Sequence, residues 1–478
     1  MVIDCFSRRV VAAQPGCDYV ALSYVWGPNK SRDLKSFQLD LDGRRLPQTV
    51  QDAMNVVRVL GMRSLWVDRY CINSTERVTQ HYMISNMDAI YEAAYLTIIA
   101  ASGSDDEHGL PSVSFKALKR RHVPPWTGLV CTRISPHSEQ MEQSAWSTRG
   151  WTYQEGLLSR RRLIFTEDCA ILHYRGDDQV NASSGIFFHI NEYSKRSLTY
   201  PSDSLNAFLG VLRAYERLRP PAMHIWGIPF LLDSDGNIRQ PGYGLLWRAG
   251  VGYSLRRIRG LPSWTWAGWN GWSSHDAAAR PHPDDSDDGF ILGSFQSGPF
   301  QWLLEEAQMR PTQSWGPSDI SLEILAGEHL TNISDHFRAG HRLPFGMSEY
   351  PEPILYLTAW SATVTGYVLP EFSVYLEGGD MDTADATFDQ TVESFCKPES
   401  QVNGCWSCEW TAAVICWNFS NEHVGSLQTQ SLLLERVGED TFRRVWILET
   451  DWQKSDMDRD GHMAAFGRTF ARALLRIV

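Results

Sequence analysis

The pattern of apolar residues divides the first hundred residues into strands and helices. Runs rich in β-branched, aromatic and other apolar residues predict strands over 19–26, 64–72 and 96–101. Between these runs, apolar residues recur every three to four positions, which predicts amphipathic helices over 47–60 and 76–94. Strands that alternate with helices through short connections form a mainly parallel sheet with covering helices. We therefore expect an α/β domain at the N-terminus.

The later part of the chain changes character twice. Residues 102–147 are loop-rich, and after them a helix is predicted over 150–158 and another over 204–218. Beyond residue 300 the spacing typical of strands dominates. The predicted strands of this later part span 162–166, 170–174, 354–369, 372–376 and 412–417, and a hairpin spans 431–448.

Three regions follow from this order of elements. We expect an α/β domain over residues 1–175, a helical and tryptophan-rich connecting region over 176–275, and a β-rich accessory domain over 276–478. A chain of 478 residues is too long for one hydrophobic core, so two or three domains are expected.

Composition and charge narrow the class of protein. With 43% hydrophobic and 21% charged residues, the chain should be globular and ordered. Its net charge of −12 argues against a general nucleic-acid binder, which needs a basic surface to engage phosphates. No apolar run is long enough to cross a bilayer, the N-terminus lacks the layout of a signal peptide, and the nine cysteines are scattered. We expect a soluble cytoplasmic protein.

Two segments resemble metal sites only in part. Cys405 and Cys408 form one pair at zinc spacing, without a second regular pair. Residues 284–289 resemble the start of a calcium loop, but Phe295 stands where the bidentate glutamate is needed. We expect no metal site.

The candidate chemistry centres on Glu155. In a helix over 150–158, Trp151, Glu155 and Leu158 share one face, so the carboxylate points into apolar surroundings. A buried charge is costly unless it is paired or used, which makes Glu155 a candidate functional group. Two structural alternatives stay open: a capping box with Thr152, or an ion pair with Arg149 or with one of residues 160–162.

A second group of polar residues ends the predicted strands. Ser23, Tyr24, Trp26 and Gly27 close the first strand, and Asp68 closes the second. Ligands of open parallel sheets bind beyond the carboxyl ends of the strands, so these residues should converge there with Arg149 and Glu155. The structural alternatives are a cap or turn role for Asp68 and a core position for Trp26.

Three blocks together resemble the heterokaryon incompatibility (HET) domain of fungal proteins. They are Tyr19-Val-Ala-Leu-Ser-Tyr-Val-Trp-Gly27, Leu65-Trp-Val-Asp-Arg-Tyr-Cys-Ile-Asn73 and Arg149-Gly-Trp-Thr-Tyr-Gln-Glu155. They occur in the family's order, with Ile90-Tyr-Glu-Ala-Ala94 and Gly109-Leu-Pro111 between the second and third. Three ordered blocks are more specific than any one short motif. The resemblance covers roughly the first third of the chain. Ser74 departs from it, because the family usually has Gln there.

The resemblance implies an enzymatic function. HET domains are similar to TIR domains, which have flavodoxin-like parallel α/β folds, and several TIR domains cleave NAD at the nicotinamide–ribose bond. Those enzymes use a glutamate four residues after a tryptophan, the spacing of Trp151 and Glu155, although Thr152 stands where the family has Cys. The resemblance therefore implies that Glu155 is catalytic and that NAD is a substrate, with no cofactor. The residues expected to contact NAD are Ser23, Tyr24, Trp26, Gly27, Asp68, Arg149 and Trp151, with Trp26 or Tyr24 stacking on a ring.

Three hypotheses on function remain in competition, the third being that the large C-terminal region binds a partner or ligand and regulates the first domain. In the first, the domain hydrolyses NAD during an incompatibility or cell-death response. In the second, it is a non-enzymatic module that self-associates or binds another incompatibility protein, and Glu155 is structural. The surroundings of Glu155 discriminate between the first two: a concave, accessible carboxylate favours catalysis, and a packed capping box favours the module.

Overall fold

The computed structural model divides the chain into two compact units. Unit 1 comprises Met1–Asn181 and Arg196–Ala214, and unit 2 comprises Ala182–Lys195 and Tyr215–Val478. The domain boundaries expected at residues 175 and 275 stay predictions. The structure describes residues 1–27, 46–73, 75–113, 137–175, 185–238, 242–249, 253–273, 300–302, 320–326, 329–339, 354–368, 373–378, 381–387, 401–402, 405–419, 426–453 and 471–478. Ser74 and the acidic segment 284–289 lie outside these ranges.

Unit 1 is an α/β structure. Its strands are β1 (Val2–Asp4), β2 (Arg9–Val11), β3 (Tyr19–Ser23), β4 (Ser64–Trp66), β5 (Leu96–Ala100), β6 (Arg161–Phe165) and β7 (Ala170–Tyr174). Its helices up to β7 are α1 (Gln48–Val59), α2 (Asp68–Cys71), α3 (Arg77–Ser85), α4 (Met87–Ala93), α5 (His137–Glu142) and α6 (Gly150–Leu158). In the described part of the chain, no helix is both long and apolar enough to cross a membrane.

The strands of unit 1 form one seven-stranded sheet in the order β2-β1-β4-β3-β5-β6-β7. The central strands β4, β3, β5 and β6 are parallel, and the outer strands pair antiparallel. This confirms a sheet that is parallel in its middle and accompanied by helices. From β3 the chain passes to β4 on one side and then returns to β5 on the other. Crossovers of this kind are right-handed, which places α1 on one face and α4 and α6 on the other.

The core of unit 1 follows from the apolar pattern. Val20, Ala21 and Leu22 of β3 are fully buried, and all five residues of β5 are buried. Helix α1 contributes Val50 and Met54 from its predicted apolar stripe. A strand that is apolar on both faces is typical of the centre of a parallel sheet.

The predicted strand over 64–72 is wrong beyond Trp66. Residues 68–71 form helix α2, in which the backbone N–H of Cys71 donates to Val67 O (2.8 Å). The Cys71 thiol also accepts a bond from the Val67 N–H (3.4 Å). Apolar residues such as Val67 and Cys71 are buried equally well in a strand or a turn, so the run did not show where the strand ends.

Two predicted helices are also shorter in the structure. The helix over 76–94 breaks at Asn86, whose side-chain amide donates to Tyr82 O (2.7 Å) and competes with the helical backbone. The helix over 204–218 is confirmed only over Leu209–Glu216, because a 3-10 turn and further turns precede it.

Unit 2 is rich in strands. After β7 the chain forms α7 (Gly185–Ser194) in unit 2 and then α8 (Leu209–Glu216), whose first six residues belong to unit 1. Helix α9 (Ile333–Arg338) comes later, in unit 2. The strands that follow α8 are β8 (Ala222–Ile225), β9 (Ile228–Leu231), β10 (Trp247–Ala249), β11 (Tyr253–Arg257), β12 (Trp269–Ser273), β13 (Phe300–Trp302), β14 (Ser321–Ala326), β15 (His329–Asn332), β16 (Leu355–Val368), β17 (Ser373–Gly378), β18 (Met381–Thr387), β19 (Gln401–Val402), β20 (Cys405–Phe419), β21 (Ser426–Arg436), β22 (Thr441–Gln453) and β23 (Ala471–Ile477).

The longest strands of unit 2 close on themselves. Strands β16, β23, β22, β21 and β20 pair in this order, and β20 pairs again with β16. The predicted strands over 354–369, 372–376 and 412–417 and the hairpin over 431–448 are confirmed by β16, β17, β20, β21 and β22. Trp264 and Trp266 are almost completely buried in this unit.

Candidate functional site

The predicted site residues meet at the carboxyl edge of the sheet in unit 1. Ser23 is the last residue of β3, and Asp68 begins the turn that follows β4. The strand order reverses between β3 and β5, and ligands of open α/β sheets bind at such a reversal. Glu155, which belongs to α6, therefore lies close to the carboxyl ends of these strands.

Helix α6 holds Glu155 inside the protein. The predicted helix over 150–158 is confirmed, and Glu155 is 5% exposed. The helix begins after Arg149, and the Thr152 hydroxyl donates to the carbonyl oxygens of Trp146 (2.6 Å) and Arg149 (2.8 Å). Thr152 is thus inside the helix rather than at its cap, so the capping-box alternative for Glu155 is wrong.

Arg161 and Arg162 have partners other than Glu155, whereas the alternative ion pair with Arg149 or with residue 160 stays open. The Arg161 guanidinium lies over the Tyr95 ring at 4.7 Å, and Arg162 donates to Gly156 O (3.2 Å). Both residues belong to β6, which directs them to other partners.

Ser23 fixes the Glu155 carboxyl group. The Ser23 hydroxyl donates to Glu155 Oε2 at 2.5 Å, and the Trp146 indole donates to Ser23 Oγ at 2.7 Å. An indole N–H is only a donor, so Ser23 must accept from Trp146 and direct its single proton to Glu155. The hydroxyl of Tyr91, which contacts Leu22 O at 3.2 Å, also hydrogen-bonds with Glu155.

Burial makes Glu155 a weak acid. Loss of solvent and, after it, the nearby Asp68 carboxylate raise the pKa of Glu155, which is about 7 overall. The hydrogen bond from Ser23, the charge of Arg149 and the hydrogen bond with Tyr91 act in the opposite direction. Glu155 therefore changes its protonation state near neutral pH, where a group can both accept and release a proton.

Asp68 is a second, more accessible carboxylate. It is half-buried, it accepts a hydrogen bond from the backbone N–H of Arg69 at 2.6 Å, and the Trp26 indole donates to it. Burial raises the pKa of Asp68 to about 6, while these hydrogen bonds and the charge of Arg149 lower it. Two carboxyl groups of raised pKa beside one arginine are typical of catalytic sites.

Arg149 connects the two carboxyl groups. Its guanidinium donates to Tyr24 O (3.2 Å), and its charge lowers the pKa values of Asp68 and of Glu155. Because Arg149 is extended at the start of α6, its backbone position is set by the same helix that carries Glu155.

The end of β3 contributes three further predicted residues. Trp26 is half-buried, and the Arg69 guanidinium, which pairs with Asp106 at 2.8 Å, lies 5.6 Å from its ring. Gly27 has a φ of +77°, and a Cβ there would lie 2.6 Å from Asp105 Cβ, so this turn requires glycine. Tyr24 is only 4% exposed. The stacking role expected of Tyr24 stays a prediction.

Trp151 lies apart from the polar contacts of the carboxyl groups. It is half-buried against the main core of unit 1, and its indole donates to Asp203. Trp151 lies on the same helix as Glu155, as predicted, but its indole N–H donates to a different segment of the chain.

Sequence reasoning missed four residues of this site. Trp146 and Tyr91 contact the Ser23–Glu155 pair, and Arg69 with Asp106 lies beside Trp26. Tyr91 and Arg69 stand inside segments that resemble the HET family, which was the available signal. Trp146 and Asp106 carried no such signal.

Comparisons with known proteins agree with the location of this site. Residues 19–155 match the family described as heterokaryon incompatibility protein (HET). The matched segment begins with the first residue of β3 and ends at Glu155. Neither the curated proteins nor the solved structures gave a match.

Proposed function

Because residues 19–155 of this chain form a heterokaryon incompatibility domain, we propose that the protein acts in incompatibility signalling by hydrolysing NAD at the nicotinamide–ribose bond. The observation that carries this proposal is the environment of Glu155. A buried carboxyl group that titrates near neutral pH, held by Ser23 and coupled to Asp68, is suited to this reaction. The likeness to TIR and flavodoxin folds is part of the proposal.

The reaction requires a negative charge and a base at one place. The C–N bond breaks when neutral nicotinamide leaves with the bonding electron pair, and the ribose becomes an oxocarbenium-like cation. The ionised Glu155 carboxylate stabilises that cation. Water then attacks the same carbon, and Glu155 accepts the proton, because its pKa of about 7 suits it to proton transfer. The products are nicotinamide, ADP-ribose and one proton.

Trp26 and Arg149 complete this arrangement. The half-buried ring of Trp26, fixed by its bond to Asp68 and by Arg69, supplies an aromatic face for stacking. Arg149 keeps the two carboxyl groups from becoming neutral together, because its charge favours their ionised forms. Folding thus maintains one ionised carboxylate beside the reacting carbon.

Nicotinamide release from NAD by the purified full chain tests the proposal. Wild-type protein should release nicotinamide, and Glu155→Gln should fold normally but release it on the order of a hundredfold more slowly. Thr152→Ala is the matched control within α6, because it loses two backbone contacts and keeps the carboxylate. A folded wild-type protein that releases no nicotinamide at any concentration would overturn the enzymatic function.

A second candidate, the self-association module, is favoured by strand β7. This strand ends the described sheet, and Leu172 and Tyr174 on its outer face are 52% and 61% exposed. Exposed apolar residues on an outer strand are a common contact between copies of a chain. Sedimentation of wild-type protein and Leu172→Lys should give different masses if β7 forms that contact, and equal masses would exclude it.

A further inference from the structure

Three buried polar groups in unit 1 share an unusual location. They are the Tyr24 hydroxyl, the Trp66 indole N–H and the Ser102 hydroxyl, which belong to residues 4%, 3% and 5% exposed. Within the described ranges, none of these three atoms has a hydrogen-bond partner. Buried polar groups are almost always hydrogen-bonded, so each exception requires an explanation.

The carboxyl edge of the sheet supplies all three. Tyr24 follows the last residue of β3, Trp66 is the last residue of β4, and Ser102 lies two residues after β5. These are three neighbouring parallel strands. These three polar groups without a hydrogen-bond partner therefore lie at the edge where α/β sheets bind ligands.

The Tyr24 hydroxyl lies near the accessible carboxylate of the site. After burial, the charge of Asp68 is the largest influence that raises the pKa of Tyr24, so the two groups are electrostatically coupled. Arg149 donates to the carbonyl oxygen of Tyr24 and also acts on Asp68, which holds both residues in one place. Tyr24 thus offers a neutral hydroxyl beside a carboxylate.

This pairing selects a hydroxyl-bearing ligand. A carboxylate accepts hydrogen bonds, and a tyrosine hydroxyl donates one and accepts one. A phosphate at this position would be repelled by Asp68, while the charge of Asp106 is already paired with Arg69. The two hydroxyls of a sugar diol satisfy the pair, since one donates to Asp68 and the other exchanges a bond with Tyr24. Acidic residues bind ribose hydroxyls in the same way in other α/β sheets.

We propose that Tyr24 and Asp68 bind the diol of the ribose that carries the nicotinamide. This inference rests on the proposed function, because it names the part of NAD that this half of the site recognises. Asp68 then has a binding role, and Glu155 keeps the role of stabilising the cation and accepting the proton.

The test compares NAD with its analogue that lacks the 2′-hydroxyl of the nicotinamide ribose. Binding of both probes is measured by calorimetry on full-length Glu155→Gln, so that no turnover disturbs the measurement. This protein should bind NAD about tenfold more tightly than the deoxy analogue, since a site built for a hydroxyl rejects a ligand without it. Adding Tyr24→Phe or Asp68→Asn should reduce this ratio to about twofold or less.

Thermal stability separates the ligand-binding role of Tyr24 from a structural one. Tyr24→Phe removes only a buried hydroxyl without a partner in the described structure, so the Tm should stay unchanged or rise. Tyr19→Phe is the control from the other end of β3. Its hydroxyl donates to Ile90 O at 2.5 Å, so its loss should lower the Tm and leave the binding ratio unchanged.

The outcomes distinguish this inference from the proposed function. Equal binding of the two probes, absence of NAD binding, or a lower Tm with an unchanged ratio in Tyr24→Phe overturns the inference. If wild type still releases nicotinamide in those cases, the proposed function stands alone. If the ratio of the affinities for NAD and for the deoxy analogue changes as expected but wild type releases no nicotinamide, the diol site is supported and the proposed hydrolysis is overturned.

Discussion

The Ser23 hydroxyl and the Glu155 carboxyl group, 132 positions apart in the sequence, share a hydrogen bond of 2.5 Å. The bond joins the end of the central strand β3 to helix α6. It is directional, because the Trp146 indole occupies the acceptor side of Ser23. One buried serine therefore controls both the position and the acidity of the candidate catalytic group.

Replacing Ser23 should change acidity and stability together. Ser23→Ala removes a donor that lowers the pKa of Glu155, so the half-maximum of the pH profile for nicotinamide release should move to higher pH. It also leaves the buried Trp146 N–H without its acceptor, which should cost about 1–3 kcal/mol of unfolding free energy. Ser159→Ala is the matched control, since its buried hydroxyl bonds Thr97 and the Glu155 backbone carbonyl. That control should be destabilised without a shift in the profile, and a shift of equal size in both variants would contradict the role of Ser23.

Glu155→Gln should make stability less dependent on pH. The pKa of Glu155 is raised from 4.5 to about 7 on folding, so the folded protein keeps a proton that the unfolded chain loses between these values. Wild type therefore loses stability as the pH rises from about 4.5 to 7, at up to about 1.4 kcal/mol per pH unit. The stability of Glu155→Gln relative to wild type should rise over this window and level off above pH 7. Denaturant titrations at pH 5, 6, 7 and 8 measure this difference in stability. A difference that does not change with pH would show that folding does not raise the pKa of Glu155.

The periodic parts of the fold could be predicted from the sequence. Strand β5 and helix α1 were found because their apolar patterns are local and regular. The end of β4 was missed, since Val67 and Cys71 are buried on either path. Strand β16 pairs with β20 and so closes the strands of unit 2. No local pattern of residues indicates that two strands this far apart in the sequence will pair.

Part of the membership of the candidate site could be predicted from the sequence, but its contacts could not. The positions of Ser23, Asp68 and Glu155 at strand ends and on a helix face implied their convergence. Side-chain direction was not available, so the buried ring of Tyr24 and the bond from Trp151 to Asp203 were missed. Partners that are tens of residues apart leave no pattern along the chain.

Gly27 should tolerate no side chain. Its φ of +77° costs an alanine roughly 1–2 kcal/mol, and a Cβ would also overlap Asp105. Gly61→Ala isolates the first effect, because Gly61 has a φ of +72° and open space around its Cβ position. Gly27→Ala should therefore lower the free energy of unfolding by clearly more than Gly61→Ala in denaturant titrations. Equal losses would show that the approach of Asp105 is not tight.

Asp68→Asn should shift the acidity of Glu155 in the direction opposite to Ser23→Ala. The negative charge of Asp68 opposes ionisation of Glu155, so its removal should lower the pKa of Glu155. The ionised form then exists at lower pH, and the half-maximum of kcat/KM for nicotinamide release should move down in pH even where the rate itself falls. Asp88→Asn is the matched control from α4, because Asp88 is a buried carboxylate that pairs with Arg213 at 3.1 Å. It should lose stability and keep the wild-type profile, whereas an Asp68→Asn profile that stays in place would show that the two carboxyl groups titrate independently.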